Sequence, residues 1–474
     1  MNKPIRRVAH ILRNNALLCL IPLALSTTVW GQTFVSEINA SALDTSAVIT
    51  WTTVVPANSQ IKYGTKQAYG LSSTFDGRMI LQHSATLSGL TASTTYHFAV
   101  VSADSSGEQV ASLDSEFTTA PSSLVVIPPP ATSGGIWISA AELAKLPMSG
   151  AAWNNVKATA DSDCGTPQIS DQESFNDTCV LAKALVFGRT GVESYRTEVR
   201  LQLGLAIGTE LTGTLPRELA LGRNLVSYVL SADLIDLPAY DPSFDQQTFR
   251  PWLKITRTEV LDGATLISCD ETKPQNWGLV CGASRAAVDI YIGDTVDLAR
   301  TAKVFQGYLG DQSAWVGYNW TTTISNGGAT WSPYPSTQLV PVNPLGATVA
   351  WNGHSYNVDG ALIADISRGG AFQWPPNHTN YPWTGLGGAI VEAEILYRAG
   401  YPVYGWSNQA ILRAYRYLLS LDNATGGFWY FNQGVNGPNN WQPWIVNRRY
   451  GTNLPHSSPV NQGWNMSWTD WTHQ

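Results

Sequence analysis

The sequence predicts a multidomain protein in which an N-terminal all-β sandwich is followed by a mainly α-helical (α/α) toroid. Up to about residue 120, apolar and polar residues alternate between Gly, Ser, Asn and Asp turns, which predicts short strands. From residue 136 onward the apolar residues recur at helical spacing, as in Leu298, Ala302, Phe305 and Leu309. Residues 121–135 contain three consecutive prolines and predict an extended linker between the two domains.

Composition limits the classes of function. The chain has 474 residues, of which 44% are hydrophobic, so a large core is available and global disorder is excluded. Only 13% are charged and the net charge is −7, which argues against a nucleic-acid partner. The 19 tryptophans are typical of proteins that stack flat sugar faces, although buried packing also uses tryptophan.

Residues 1–31 are predicted to be a signal peptide. Arg6, Arg7 and Arg13 precede the apolar run 16–25, and small residues lead to a cleavage point after Gly31. The apolar run is too short to span a bilayer permanently, and no later stretch qualifies as a membrane helix. We therefore expect a secreted or periplasmic protein that has no membrane attachment once the signal is removed.

Four cysteines remain after the signal peptide: Cys164, Cys179, Cys269 and Cys281. They allow three pairings, and we favour Cys164–Cys179 with Cys269–Cys281 because each closes a short loop in an oxidising compartment. A zinc site is the alternative, but the spacings contain no C-x-x-C element and no histidine lies beside them.

Residues 32–120 resemble a fibronectin type III domain. The resemblance rests on Trp51, Ile61-Lys-Tyr-Gly64, the segment 90–96 that ends in Tyr96, and Ser115-Glu-Phe-Thr-Thr119. It implies that Trp51 is the core tryptophan of the sandwich and that Tyr96 is its corner tyrosine. This domain carries no evident catalytic motif.

Three segments of the predicted toroid, 136–474, carry motifs. Segment 274–294 contains Pro-Gln-Asn-Trp-Gly and ends in Gly-Asp, and 358–372 contains Asp-Gly followed by Asp-Ile-Ser-Arg-Gly. Segment 381–394 begins with Tyr-Pro-Trp and ends in Glu-Ala-Glu. Together they resemble the alginate lyase superfamily of polysaccharide lyases, which are helical toroids that cleave uronic-acid polymers by β-elimination.

The resemblance assigns roles to individual residues. Asn276 matches an asparagine that contacts the substrate carboxylate, Arg368 matches the functional arginine, and Tyr381 matches the tyrosine that serves as base and acid. Trp277 stands where the family often has a histidine, so His354 or His378 is the candidate replacement, with His354 as a catalytic residue. Trp277 and His378 are then expected to contact substrate.

β-Elimination explains why these residue types are needed. The proton beside a uronate carboxyl group becomes acidic only when the carboxylate charge is offset, which the Asn276 amide and the Arg368 guanidinium can do. The deprotonated oxygen of a Tyr381 beside Arg368 can act as base for that proton and then return it to the leaving oxygen. No metal or organic cofactor is required by this chemistry.

Further sugar contacts are predicted from aromatic and polar loop residues. Trp374 lies in the segment between Arg368 and Tyr381, and the tail 440–451 offers Trp441, Asn447 and Arg448. Packing of a hydrophobic tail over the toroid explains the tail tryptophans equally well.

The function that these observations favour is a secreted lyase acting on a uronic-acid polymer of the glucuronan or alginate type. The expected partner is an anionic polysaccharide, and the expected state is a monomer. One alternative is an α/α-toroid glycoside hydrolase with a carboxylate pair drawn from Asp359, Asp365, Glu392 and Glu394. The other alternative is a carbohydrate-binding protein without catalytic activity.

Overall fold

A computed structural model describes residues 34–42, 46–119, 135–213, 216–424 and 433–474. The predicted signal peptide lies outside these ranges, as does the predicted linker except for Gly135. Within them, no helix is both long enough and apolar enough to cross a membrane.

The N-terminal domain is a β-sandwich. Its described strands are β1 (Val35–Ala42), β2 (Ser46–Gly64), β3 (Leu71–Ser72), β4 (Asp76–Ser88), β5 (Thr95–Ala103), β6 (Gln109–Ala111) and β7 (Ser115–Thr118). The first half of the long β2 pairs with β1 and β4, and its second half pairs with β3 and β5. β6 and β7 also pair with β5, and every pairing is antiparallel. The predicted all-β sandwich is confirmed.

The two aromatic residues that carried the fibronectin type III resemblance occupy the expected places. Trp51 is 1% exposed, and its ring stacks on His83 with centroids 4.9 Å apart. The hydroxyl of Tyr96 accepts a hydrogen bond from the backbone N–H of Thr91 at 2.9 Å, which is the geometry of a tyrosine corner.

The C-terminal domain is mainly helical. Its longer helices are α2 (Ala151–Asp161), α3 (Asn176–Thr190), α4 (Glu193–Ala206), α5 (Arg217–Leu234), α10 (Asn276–Ile292), α11 (Thr295–Tyr308), α14 (Tyr381–Arg398), α15 (Trp406–Ala424) and α17 (Gln442–Tyr450). The shorter ones are α1 (Ala140–Leu143), α6 (Leu237–Tyr240), α7 (Pro242–Phe244), α8 (Arg250–Thr256), α9 (Leu266–Thr272), α12 (Thr321–Ser325), α13 (Ile363–Ile366), α16 (Gln433–Asn436) and α18 (Thr469–Thr472). A small hairpin, β8 (Thr348–Trp351) and β9 (His354–Asn357), projects from the long connection before α13.

Five helices, α3, α5, α10, α14 and α17, form an inner layer, and neighbouring members of it run parallel. Gln442 at the start of α17 donates to the carbonyl of Trp383 near the start of α14 at 2.8 Å. Arg449 near the end of α17 donates through Nε to Glu394, further along α14, at 2.7 Å. α3, α10 and α14 are buried along most of their length, whereas α2 and α4 bury only one face.

The C-terminal segment joins the two ends of this layer. Nε1 of Trp468 donates to the carbonyl of Thr178 in α3 at 3.0 Å, and Gln462 donates to the carbonyl of Phe175 at 3.0 Å. Trp471 packs on Trp153 of α2 with centroids 5.2 Å apart. The helices therefore close into a ring, with the inner layer surrounded by outer helices, as predicted for an α/α toroid.

Both predicted disulfides are confirmed. Cys164 pairs with Cys179 across a Cα–Cα distance of 5.6 Å, and Cys269 pairs with Cys281 across 6.1 Å. The second bond ties α9 to the first turns of α10.

Candidate active site

The residues expected from the sequence to be catalytic, apart from His354, meet at the end of the ring where the inner helices begin. Asn276 is the first residue of α10, and Tyr381 is the first residue of α14. Arg368 lies in the 3-10 turn Ser367–Gly369 that follows α13. Since α10 and α14 are parallel neighbours, their N-terminal ends share one mouth of the ring, where the helix dipoles favour negative charge.

Asn276 is held in place by Asp365. The backbone N–H of Asn276, which has no partner inside its own helix, donates to Oδ1 of Asp365 at 2.9 Å. Both residues are 0% exposed. Burial raises the pKa of Asp365 to about 7, against the lowering effects of this hydrogen bond and of the Arg368 charge. The amide oxygen and nitrogen of the Asn276 side chain have no hydrogen-bond partner among the described residues.

A glycine on α14 lets these residues approach. A Cβ atom at Gly385 would lie 2.2 Å from Oδ2 of Asp365 and 3.6 Å from Cβ of Asn276. Any larger residue at this position would push α14 away from Asp365. The segment 381–394 therefore positions Tyr381 through its glycine as well as through its own helix.

Arg368 and Tyr381 form a stacked pair. Cζ of Arg368 lies 3.6 Å from the centroid of the Tyr381 ring, which is a cation–π contact. Arg368 is exposed and Tyr381 is half-buried, so the pair faces the open side of the mouth. The guanidinium covers the face of the ring, and a negative charge on the phenol oxygen would lie close to it.

Arg223 is a further candidate that the sequence analysis did not single out. It lies on α5, is 7% exposed, and its pKa is lowered by burial, while the charges of Glu173 and Tyr381 act in the opposite direction. Its guanidinium lies 5.1 Å over the ring of Trp464 and donates to the carbonyl of Gln172 at 3.0 Å. Its Nε has no partner within the described part of the chain.

The available signal for Arg223 was a lone arginine inside the apolar run 219–226. Helix periodicity alone could not show that this arginine is buried against Trp464, which lies far away along the chain.

The structure places His354 and Trp374 away from Asn276. His354 is exposed at the start of β9, and the ring of Trp374 is tilted against that of Tyr356, with centroids 5.4 Å apart. Both line a cleft against the β-sandwich rather than the mouth formed by α10 and α14. His378 is half-buried, and burial lowers its pKa.

Trp277 belongs to the rim of the α10 end. Nζ of Lys273 lies 4.2 Å from its ring centroid, and the same ammonium pairs with Glu218 of α5. Burial lowers the pKa of Lys273 to about 8. Trp277 is half-buried and packs on the core, so it shields the ion pair beside the mouth.

The predicted sugar-binding residues of the tail 440–451 pack in the core or hydrogen-bond to neighbouring loops. Trp441 is 0% exposed, so neither of its faces is open to a sugar. The side chain of Asn447 accepts from the backbone N–H of Leu454 at 2.7 Å and donates to the carbonyl of the same residue at 3.0 Å. Arg448 donates to the carbonyl of Gln474 at 3.1 Å. These contacts favour the packing interpretation that the sequence left open.

The carboxylates of the hydrolase alternative are held in separate places. Asp359 pairs with Arg413, and Glu394 accepts from Arg449 and from the hydroxyl of Tyr404.

Glu392 is 1% exposed, and burial raises its pKa well above the ordinary value, with the charge of Asp270 acting in the same direction. Only Asp365 of these four acids contacts the mouth, and it is fully buried.

Comparison with known proteins finds a match for the first domain. Residues 36–119 match the family model described as the N-terminal domain of purple acid phosphatase. This match covers only the β-sandwich and says nothing about the helical ring. No curated protein matches the chain.

Three solved structures show weak likenesses. The solution structure of the fibronectin type-III domain of human fibronectin type III domain containing protein 3 is 23% identical, with 20% of this chain and 94% of that chain covered and a TM-score of 0.16. A family 76 glycoside hydrolase from a bovine Bacteroides thetaiotaomicron strain is 9% identical, with 88% and 90% covered and a TM-score of 0.24. A beta-1,2-glucanase from Parabacteroides distasonis is 9% identical, with 83% and 56% covered and a TM-score of 0.23. Likenesses at these scores carry no functional assignment.

Proposed function

We propose that the helical domain is a polysaccharide lyase that cleaves a uronic-acid polymer by β-elimination. The observation that carries the proposal is the mouth of the ring, where Asn276 and Tyr381 begin neighbouring parallel helices and Arg368 stacks on the Tyr381 ring. Helix N-termini and the cations Arg368 and Arg223 supply positive potential there, as a chain of carboxylates requires.

Each of these residues has a part in the reaction. Arg368 and the Asn276 amide offset the charge of the uronate carboxyl group, which makes the neighbouring C5 proton acidic. Tyr381 in its deprotonated form takes that proton and becomes the neutral phenol, the electron pair of the C5–H bond forms the C4–C5 double bond, and the C4–O4 bond breaks. The proton then passes from Tyr381 to the departing O4, so the tyrosine ends in its starting form.

Asn276 needs a small opening of the mouth before it can contact a substrate, because its amide is fully buried. The hydrogen bond from its backbone N–H to Asp365 fixes the position of Asn276. Its side-chain amide atoms have no hydrogen-bond partner among the described residues, so they can bind a substrate carboxylate. Arg223 adds a buried positive charge on α5 in this proposal, with its guanidinium over the ring of Trp464.

A hydrolase would need two carboxyl groups facing each other across the glycosidic bond. Asp359 forms an ion pair with Arg413, and Glu394 forms one with Arg449. Glu392 is buried beside Asp270. This arrangement supports the lyase over the hydrolase alternative.

The deciding experiment is a screen of glucuronan, alginate, pectate and glycosaminoglycans with the full-length protein. A lyase produces a 4,5-unsaturated uronide that absorbs in the far ultraviolet, whereas a hydrolase produces reducing ends without that absorbance. Retention of a polymer with neither signal would identify a binding protein. We expect absorbance on a β-linked glucuronate or mannuronate chain, by resemblance.

The same proposal includes export from the cytoplasm. The predicted signal peptide and the two disulfides both fit an oxidising compartment. Detection of the mature protein starting near Gln32 in a periplasmic or culture fraction tests it.

A further inference from the structure

A cleft of about 440 Å³ lies between the two domains. The β-sandwich supplies one wall through residues 73–78 and 84–86, and the helical domain supplies the other through His354, Tyr356 and Trp374. Neither wall alone encloses the space. The cleft is separate from the mouth at Asn276 and Tyr381.

Aromatic side chains line both walls of the cleft. Tyr356 and Trp374 lie 5.4 Å apart between ring centroids at an interplanar angle of 31°, and both are half-buried. Phe75 on the sandwich side is 45% exposed. A concave site lined by aromatic rings with a few polar groups is the usual form of a small-ligand or sugar subsite.

The polar groups of the cleft include an arginine. The side chain of Arg78 is 73% exposed and is held by Asp76, with Nη2 and Oδ2 2.6 Å apart. The carboxylate fixes the guanidinium at the edge of the aromatic wall. Nε and Nη2 of Arg78 both donate to Asp76, so Nη1 is the nitrogen left to donate to a carboxylate oxygen of a uronic acid.

A direct contact holds the two walls together. Nδ2 of Asn357, at the end of β9, donates to Oγ of Ser88, at the end of β4, at 3.2 Å. The hairpin β8–β9 therefore connects the sandwich to the loop that carries Trp374.

The cleft is within reach of the candidate active site along one polymer. Trp374 is six residues after Arg368, so their Cα atoms are at most about 21 Å apart. A polysaccharide several residues long can span that distance.

From this geometry we infer that the interdomain cleft binds a segment of the same anionic polysaccharide, away from the linkage that is cleaved. The β-sandwich is then part of the substrate site through Phe75 and Arg78, rather than a spacer. This inference rests on the proposed function for the identity of its ligand. The occupant is an oligosaccharide whose flat faces stack on the rings and whose carboxylate pairs with Arg78.

The test uses the full chain with Tyr381→Phe as background, so that polymer is not consumed during binding. Phe75→Ala combined with Arg78→Ala should weaken binding of the polymer by about tenfold or more in affinity electrophoresis or calorimetry. Met79→Ala with Leu81→Ala is the control, because both residues lie on β4 with Arg78, are 46% and 48% exposed, and do not line the cleft.

Unchanged affinity in the Phe75/Arg78 variant, or an equal loss in the Met79/Leu81 control, overturns the inference. A loss confined to the Phe75/Arg78 variant supports it even if the wild-type chain forms no unsaturated product, and that result would overturn only the lyase proposal. If the wild type forms unsaturated product and the Phe75/Arg78 variant binds polymer normally, the lyase proposal is supported and the inference of a second binding site is wrong.

Discussion

Tyr381 and Arg368 illustrate how much of the proposed chemistry depends on the orientation of two side chains. Cζ of the guanidinium lies over the phenol ring, 3.6 Å from its centroid, and Asn276 begins the neighbouring helix. Because the stacking uses the ring and the proton transfer uses the hydroxyl, the two contributions can be separated by substitution.

Tyr381→Phe keeps the ring and removes the hydroxyl. We expect turnover on the uronate polymer to fall by about two to four orders of magnitude, while polymer binding and the unfolding midpoint stay near wild type. Initial rates of ultraviolet absorbance measure the effect, and Tyr334→Phe, at a tyrosine 39% exposed, is the control. Near-normal elimination by Tyr381→Phe, with inactive His354→Ala or His378→Ala, would make a histidine the base.

Asp365 predicts a pH dependence of stability. Its pKa is about 7 in the folded protein and near 4 in the unfolded chain, so the folded state holds the proton more tightly. The contribution of this group to the free energy of unfolding is therefore largest below pH 4 and is lost as the pH rises to about 7. Asp365→Asn does not titrate and keeps an oxygen for the Asn276 N–H.

We expect Asp365→Asn to be more stable than wild type at pH 8 and to show a flatter profile between pH 4 and 7. Urea unfolding of both proteins over a pH series measures the difference in the free energy of unfolding. Burial also raises the pKa values of Asp177 and Asp270 to about 7, but these residues are present in both proteins, so the difference reports on Asp365 alone. Parallel profiles for the two proteins would show that Asp365 does not titrate in this range.

Close packing of α14 against α10 is the main feature at the level of elements. A Cβ atom at Gly388 would lie 2.9 Å from Cβ of Leu279 and from the backbone nitrogen of Val280. Alanine gains about 1 kcal/mol of helix propensity, but separating the helices costs about 1–3 kcal/mol. We therefore expect Gly388→Ala to lower the free energy of unfolding.

Gly204 on the outer helix α4 is the matched control for Gly388. The nearest atom to a Cβ there is the flexible end of Arg200 at 3.3 Å, so Gly204→Ala should be neutral or stabilising by up to about 1 kcal/mol. Denaturant unfolding of both variants measures the comparison. A shift in the same direction for both would contradict the packing explanation.

The Cys269–Cys281 disulfide connects stability to the site, because the loop that it closes contains Asn276. Replacing both cysteines by alanine should cost about 2–3 kcal/mol of unfolding free energy and also lower turnover. Removing Cys164–Cys179, which closes a loop of similar length, should cost a similar amount with a smaller effect on turnover. If the two disulfide variants lose the same stability and the same turnover, the Cys269–Cys281 bond affects turnover only through global stability.

At the scale of the whole molecule, ring closure depends on the last described residues. Trp468 and Trp471 are 1% and 0% exposed and contact α3 and α2. Trp471→Ala should lower the free energy of unfolding by about 3–5 kcal/mol, because it leaves a large cavity at the closure. Trp320→Ala, at a half-buried tryptophan outside this contact, should cost less in the same denaturant titration. A larger cost at Trp320 would refute a special role for the closure.

The two-domain fold was predictable because its signals are local. Alternation of residues around Trp51 and Tyr96 requires only neighbouring strands, and the apolar spacing in α11 requires only one helix face. The short disulfide loops were predictable for the same reason. The resemblance to the alginate lyase superfamily implied that Asn276, Arg368 and Tyr381 belong to one site, and that assignment stays a prediction.

The rest of the site depends on which elements meet in space. Arg223 is buried with its guanidinium over the ring of Trp464, and no spacing along the chain encodes that contact. His354 and Trp374 face the β-sandwich because the hairpin β8–β9 rests against it, which requires the arrangement of both domains. A tryptophan suits both a sugar-binding surface and a protein core, so only the structure shows that Trp441 is buried.

The contact between Thr178 and Trp468 spans 290 residues of chain. During synthesis at about 5–20 residues per second, α3 emerges from the ribosome roughly 15–60 s before the residues that cover it. For that interval its apolar face lies open, and neighbouring helices can pair only on one side. Completion of the ring therefore waits for residues that are made about 290 positions after α3, and a holding chaperone that binds apolar helices would have a long opportunity at α3.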